Sequence, residues 1–398
     1  MKKNIFNIIK ISFQIFLVAG LFNLARAQDQ GTLHQHEEIG VLGMTPPIPI
    51  SISGFSGEAL EVLEFDLYVQ GFKVVPSDQA QYEITGSNDG NVLGRVTDKF
   101  ARKEILARSY TGADIRREAH WFADDIVNAT TGRQGIGKTK IAFKVQSPDG
   151  NGEIYVSDFD GHNPQAVTTD GAIVAAPAWV PGRLALYYTS YKLGNPDIFY
   201  QNLSTGQRSV FASYAGLNTS AAVSPDGSKV AMILSRSGDP NVWVCDADGS
   251  HLRQLTHTRA DDSSPCWSPN GQWICFATKI HFRRQLAKVS VNGGEPEVVS
   301  TTGVANPTEP DWSPDGKWIA FTSQGGEFDI CVMPADGSGR PVVLVEGQHP
   351  SWSPNSRTLV YNQDLGYRQT VSVLDVFTKQ HKNAQRVTGN DSEAAWAR

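Results

Sequence analysis

The sequence predicts a multidomain protein: a small N-terminal α/β domain plus a six-bladed β-propeller closed by the C-terminal strand. Three observations carry this. A short motif recurs at a period near 44 residues, the length of a four-stranded propeller blade. The copies of one strand are offset from the copies of the other three, as a closed ring requires. Residues 28–137 lie outside the repeat and mix strand and helix patterns.

Taken in chain order, residues 1–27 read as a secretory signal peptide. Lys2, Lys3 and Lys10 form a basic start, an apolar stretch runs from Ile11 to Ala25, and Ala25-Arg26-Ala27 fits a small-x-small cleavage pattern before Gln28. The run falls short of the ~20 residues a spanning helix needs. Cleavage after Ala27 predicts export, and no later run predicts membrane insertion. The leader holds four basic residues and no acid, so the remainder of the 398-residue chain carries ten more acidic than basic residues. That balance argues against nucleic acid, whose phosphates demand clustered Lys and Arg.

The domain assigned to 28–137 starts with a His-rich, acidic stretch, His34, His36, Glu37 and Glu38. These residues are a candidate metal cluster, but terminal segments are usually loosely held, and no metal site is assigned. Beyond Thr45 to Pro49, a strand is read over Ile48–Ser53. Glu58–Gln70 carries Leu60, Leu63, Leu67 and Tyr68 at helical spacing. Strands are read at Phe72–Val75 and Tyr82–Gly86, a long hairpin over Val92–Phe100 and Glu104–Tyr110, and a second helix over Asp114–Asn128.

Gly132 to Thr139 matches the phosphate-loop pattern G-x-x-x-x-G-K-T. That loop works when it follows a strand and opens a helix, whose N-terminus faces the phosphates. Here it follows a helix and leads into a strand, so it reads as a flexible interdomain linker.

The propeller is assigned to 138–398. Six copies of the repeat centre on Trp179, Val223, Trp267, Trp312, Trp352 and Trp396, at intervals of 44, 44, 45, 40 and 44 residues. A Ser-Pro-Asp-Gly type turn follows most copies, then three strands. In the first unit these are Ile141–Val145, Glu153–Ser157 and Gln165–Thr168; in the last, the fourth strand is read at Gln385–Thr388. Asp-Gly pairs such as Asp160-Gly161 supply hairpin turns, and His162 beside them is placed in solvent. The unit at 138–170 lacks its own first strand, and 394–398 is a spare one. Joining the two closes the ring and removes open sheet edges. The repeat tryptophans are assigned to the core.

Cys266 and Cys275 bracket a predicted hairpin turn, which leaves two readings, a bridge or buried thiols; Cys245 and Cys331 complete the set. Apart from the His-rich stretch and the phosphate-loop match set aside above, no nucleophile elbow, metal-ligand spacing or cofactor motif is present, so no catalytic residue and no cofactor is assigned. The rival reading is a propeller enzyme, a lyase or hydrolase, acting on an envelope glycan. It would need His, Glu or Asp side chains converging on the ring axis.

The leader, the small α/β domain, the run Thr139-Lys140-Ile141-Ala142-Phe143, the Ser-Pro-Asp-Gly turns and the segment Glu153 to Asn163 together resemble the TolB family of the Tol–Pal envelope system. The likeness spans roughly residues 45–398. It implies a monomeric, non-enzymatic periplasmic protein acting in outer-membrane constriction at division and in envelope integrity. It also implies two partners. A Pal-type peptidoglycan-associated lipoprotein would dock at the propeller mouth, at positions similar to Asn218, Thr219, Arg259, Asp261, Asp262, Asn306, Thr308 and Glu309. A TolA-type inner-membrane protein would engage the N-terminal region, with strand addition through Ile39, Val41, Leu42 and Met44.

Overall fold

The structure is a computed structural model that describes residues 40–384, 386 and 389–398. The predicted leader, its cleavage point and the His-rich stretch therefore lie outside the described residues.

The N-terminal layer is a five-stranded sheet with two helices. Its elements are β1 (Ile48–Ser53), α1 (Gly57–Tyr68), β2 (Phe72–Val74), β3 (Tyr82–Ser87), β4 (Val92–Asp98), β5 (Lys103–Tyr110) and α2 (Ile115–Thr131). The strand order is β2-β1-β3-β4-β5, with β1 parallel to both β2 and β3. Asp114 starts α2 by accepting the Arg117 amide, and left-handed Gly132 ends it. Leu63, Leu67 and Val62 of α1 and Phe122, Ile126 and Ala119 of α2 meet Ile50, Ile84 and Val96 of the sheet in one core.

Six four-stranded sheets follow, each an antiparallel meander whose first strand lines the axis. Blade I comprises Lys140–Gln146, Gly152–Asp158 and Gln165–Ala166, and its inner strand is Asn390–Trp396. That strand pairs Trp396 with Ile141 and Asn390 with Gln146. Blades II to VI have inner strands Val174–Trp179, Asn218–Val223, Ser263–Trp267, Thr308–Trp312 and Gln348–Trp352. The offset in the repeat is thus the seam of the ring. In blade VI the fourth strand is His381–Asn383, earlier than the expected Gln385–Thr388. Gln385, Val387 and Thr388 lie outside the described residues.

The five repeat tryptophans are buried between blades. Their indole N–H groups need acceptors once desolvated. Trp179, Trp267 and Trp352 find them one blade back, in the carbonyls of Ala395 (3.0 Å), Ala222 (2.9 Å) and Asp311 (3.1 Å). The same repeat position therefore fills the core and ties neighbouring sheets. Cys266 and Cys275 face each other in register as free thiols. Both are buried, and the Cys266 thiol pKa is raised by its hydrogen bond to Cys275 and by burial.

The α/β layer sits on the propeller face that carries the Ser-Pro-Asp-Gly type turns. Helix α1 serves two cores, because Phe65 and Val69 leave the first and pack with Phe159, Val371, Val373 and Trp396. Gly71, at φ +93°, passes so close to the Arg357 guanidinium that a Cβ there would lie 2.3 Å from it. Across the same seam Arg116 of α2 pairs with Asp160 of the propeller, while beside it, within the α/β layer, His120 Nδ1 of α2 lies 2.6 Å from Asp66 of α1. His162 does not simply face solvent. Its Nδ1 approaches Asp160 at 3.1 Å, and burial together with Arg116 lowers its pKa to about 4.

The stretch from Gly132 to Thr139 is not a loose connection. The Gly137 amide donates to the Asp124 carboxylate at 2.7 Å, and burial raises that acid to about 7. Thr139 accepts the Trp396 indole N–H at 2.9 Å, and Lys138 lies over the Trp121 ring. An amide a phosphate would need is already taken by a carboxylate.

Because Trp396 joins ring closure to the linker and to α1, its removal is expected to act on the whole unit. Trp396→Ala is predicted to cost about 3–5 kcal/mol, read as a lower urea midpoint with an unsplit transition. A midpoint within error of the parent would contradict the closure argument.

Candidate functional site

Six inner strands enclose an axial channel of about 630 Å³. Its wall is built by one local device used six times. Each inner strand slips register by a bulge, and at each bulge one non-glycine residue takes a left-handed conformation. These residues are Ala176, Ser220, Ser264, Glu309, His349 and Glu393, with φ between 49° and 54°. Each stands three residues before a repeat Trp or Val and is followed by Pro or Ala. Strained backbone of this kind persists where surrounding structure holds it, and bulges re-aim side chains.

The ring of six is divided by chemistry. Ala176, Ser220 and Ser264 form a small, uncharged half, whereas Glu309, His349 and Glu393 form an ionisable half. Ionisable side chains of the kind the rival enzyme reading requires therefore do reach the axis. Glu309 accepts from the Thr322 hydroxyl at 2.7 Å and the His349 amide at 3.0 Å, and its carboxylate lies 3.0 Å from His349 Nε2. Glu393 pairs with Lys144 at 2.7 Å and accepts the Ala176 amide at 2.5 Å. Deeper in, Asp311 accepts the Trp352 amide at 2.7 Å and pairs with Arg398. Burial raises the Asp311 pKa despite Arg398. Each acid of the channel therefore has a cationic partner, and each pair bridges two blades or two strands of one blade.

The residues expected at the mouth divide into two sets. Arg259, Asp261 and Asn306 are exposed on loops entering the inner strands, where Asp261 pairs with Lys279. Thr219, Thr308 and Glu309 are half-buried on the strands themselves, Thr219 touching Thr189 at 3.0 Å. Asn218 and Asp262 are buried and committed to the fold. Asn218 accepts the Tyr214 amide and donates to the carbonyls of Pro196 and Tyr214. Asp262 accepts from Thr256, Thr258 and Thr278, and burial raises its pKa. All eight lie on the face away from the α/β layer.

At the N-terminus, Val41 and Met44 are exposed, whereas Leu42 is buried in a propeller core with Leu344 and Val376. The Gly43 and Thr45 amides donate to Val376 and Phe377. The segment forms a turn pinned to blade VI rather than a free strand. Ile39 lies outside the described residues. Among the described residues, no group of three or more His, Cys, Asp and Glu side chains could hold a metal ion, and no helix is long and apolar enough to cross a membrane.

The Glu309–His349 pair makes stability depend on pH. Burial disfavours both charges, but each partner outweighs it, so His349 is raised above the ordinary histidine value and Glu309 is held below the ordinary glutamate value. The contribution of His349 is complete below about pH 6.5 and lost as pH rises through its folded value; that of Glu309 is present above about pH 4.3 and lost as pH falls through its folded value. Glu393 and Lys144 act on His349 with opposite signs. The stability difference between parent and His349→Gln should peak between those limits and shrink above neutrality. Chemical denaturation across pH 4–9 checks this, and a difference independent of pH would refute it.

The family model described as PD40, TolB beta propeller domain, matches residues 127–398. The chain is 34% identical over 166 residues to the Tol-Pal system protein TolB of Desulfosudis oleivorans, covering 41% of this chain and 37% of that one. It is 30% identical over 269 residues to the protein of that name from Anaeromyxobacter dehalogenans, covering 56% of this chain and 60% of that one. The chain thus spans between 37% and 60% of the length of these curated relatives. In three dimensions it is similar to the crystal structure of TolB from Acinetobacter baumannii, with a TM-score of 0.80 at 23% identity over 90% of this chain and 98% of that one. A chain of a nidogen/laminin complex shares the fold at a TM-score of 0.55 and 14% identity, over 65% of this chain and 98% of that one. With a family model matched across the whole propeller and more than half of its length, the chain belongs to the TolB β-propeller family.

Proposed function

We propose that this protein is an exported, non-enzymatic interaction component of a Tol–Pal type system, acting in the periplasm. Its propeller mouth docks a Pal-type peptidoglycan-associated lipoprotein. Its N-terminal region engages a TolA-type inner-membrane protein, so that the chain links envelope layers during outer-membrane constriction and supports envelope integrity. The observation that carries the reading is the open channel mouth on the face that the α/β layer leaves uncovered. Arg259, Asp261 and Asn306 stand exposed there, and family membership supports the assignment.

Within this reading the eight mouth positions have different tasks. Arg259, Asp261 and Asn306 touch the partner, and Thr219, Thr308 and Glu309 line the channel it caps. Asn218 and Asp262 hold the loops in shape. At the other end, Val41 and Met44 are the members of the N-terminal segment free to meet a TolA-type partner, with Ile39 beside them in sequence and Leu42 as the anchor.

One observation favours the rival reading, an enzyme acting on an envelope glycan: Glu309, His349 and Glu393 converge on the axis. Each acid is paired with a cation, which suits a structural network better than a free general acid. A binding assay with the mature chain and the soluble domain of a Pal-type lipoprotein from the same organism separates the two. A complex is expected, weakened at least tenfold (about 1.4 kcal/mol) by Arg259→Glu. Absence of a complex, with turnover of envelope glycan by the pure protein, would favour the enzyme. Deleting residues 28–44 is expected to abolish TolA-type binding while leaving Pal-type binding intact.

A further inference from the structure

Beside the channel mouth, blade IV carries a second cavity, of about 550 Å³. It lies between the tip of the hairpin Trp273–Ile280 to Arg283–Ser290 and the loop 300–307 that leads into blade V. Its polar wall is Arg283, Arg284, Gln285, Ser300, Thr301, Thr302 and Asn306, and no acidic side chain lines it. This stands out in a chain with more acidic than basic residues. Arg283 is exposed and makes no ion pair among the described residues. Arg284 is held in place by a neutral partner, donating from Nη1 to Ser263 Oγ at 3.1 Å. The neighbouring cation, Lys279, is already paired with Asp261. Two guanidinium groups are thus left with open donor capacity above a rim of hydroxyls, the donor set that recognises oxyanions.

The hairpin tip adds a second feature. Ile280 pairs with Arg283, so the loop is only His281 and Phe282. Both adopt left-handed backbone, φ 50° and 65°, where such loops normally carry Asn-Gly. The Phe282 ring stands wholly in solvent, beside Arg283 in sequence. An exposed aromatic next to unpaired arginine is the composition of an interface anchor.

We propose that this cleft is a recognition site for an oxyanion, supplied as the side-chain carboxylate of an acidic peptide segment whose apolar neighbour packs on Phe282. A carboxylate fits better than a membrane phosphate, because the excess negative charge of the chain opposes docking on an anionic bilayer. The cleft lies outside the axial channel and shares only Asn306 with the mouth positions assigned above, so the peptide titration reads it separately from whatever caps the channel.

The test uses the mature chain, isotope-labelled, titrated with acetyl-Leu-Glu-amide, acetyl-Leu-Gln-amide and inorganic phosphate. Chemical-shift changes in blade IV report binding, and the rest of the spectrum reports the fold. The Glu peptide is expected to bind saturably and to weaken with added salt. Arg283→Gln should weaken it at least tenfold, Phe282→Ala should weaken it by a smaller factor, and the Gln peptide should not bind. Equal binding of the two peptides, no loss in Arg283→Gln or Arg284→Gln, or no binding at all would overturn the site. Binding of phosphate alone would overturn the assignment of a carboxylate.

Discussion

The pairing of Asn390–Trp396 with Lys140–Gln146 is the constraint on which the rest of the structure rests. A row of four-stranded sheets has two ends, and each end exposes unpaired backbone and an uncovered apolar face. Drawing the last strand into the first blade removes both. It also places Trp396 against Phe159, with ring centroids 6.0 Å apart, and against Thr139 in the linker. The chain's last strand therefore organises the place where its first layer docks.

Ring closure also creates the axis, and six-fold geometry dictates what the axis can do. Six bulges hold six left-handed residues at one level of the channel. The backbone device is uniform, so chemical variety enters only through side chains. One half of the ring stays small, and the other concentrates Glu309, His349 and Glu393. Charges brought together away from bulk water must be compensated. The pairs Glu309–His349 and Glu393–Lys144 meet that demand and at the same time join adjacent strands and blades. Polarity at the axis is thereby part of what holds the blades in phase.

The seam with the α/β layer follows the same logic. Phe65 and Val69 supply apolar contact to the propeller. Around them Arg116, His120, Asp66 and Asp160 form a buried polar network, with half-buried His162 against Asp160 at its edge. Asp160 illustrates a dual use: it shapes a hairpin turn and also receives an arginine from another layer. With one face covered in this way, the opposite face keeps its loops free. The channel mouth, Arg259, Asn306 and the arginine-lined cleft of blade IV all open there.

Most of the architecture was legible in the sequence because it is local or periodic. Helical spacing marked α1 and α2, and turn chemistry marked the hairpins. The 44-residue period and its offset counted the blades and closed them, since a strand without a partner must find one. The context of Gly132 to Thr139 was enough to set aside a phosphate loop. The axial half-ring also left a trace, three residues before each repeat position, but a bulge changes which way a side chain points, and spacing alone does not register a bulge. Other features depend on contacts between residues far apart in sequence, which no local pattern encodes. The linker is pinned because Asp124 and Trp396 reach it from different layers. Leu42 is buried because blade VI offers it a core, and Asn218 and Asp262 are spent on their own loops. The sequence by itself thus determined the number, order and closure of the sheets, through short-range backbone preference and the need to pair edges. Tertiary structure alone decided which polar side chains are consumed in holding the fold and which stay free for a partner, because that is settled by desolvation and by the distance to a counter-charge.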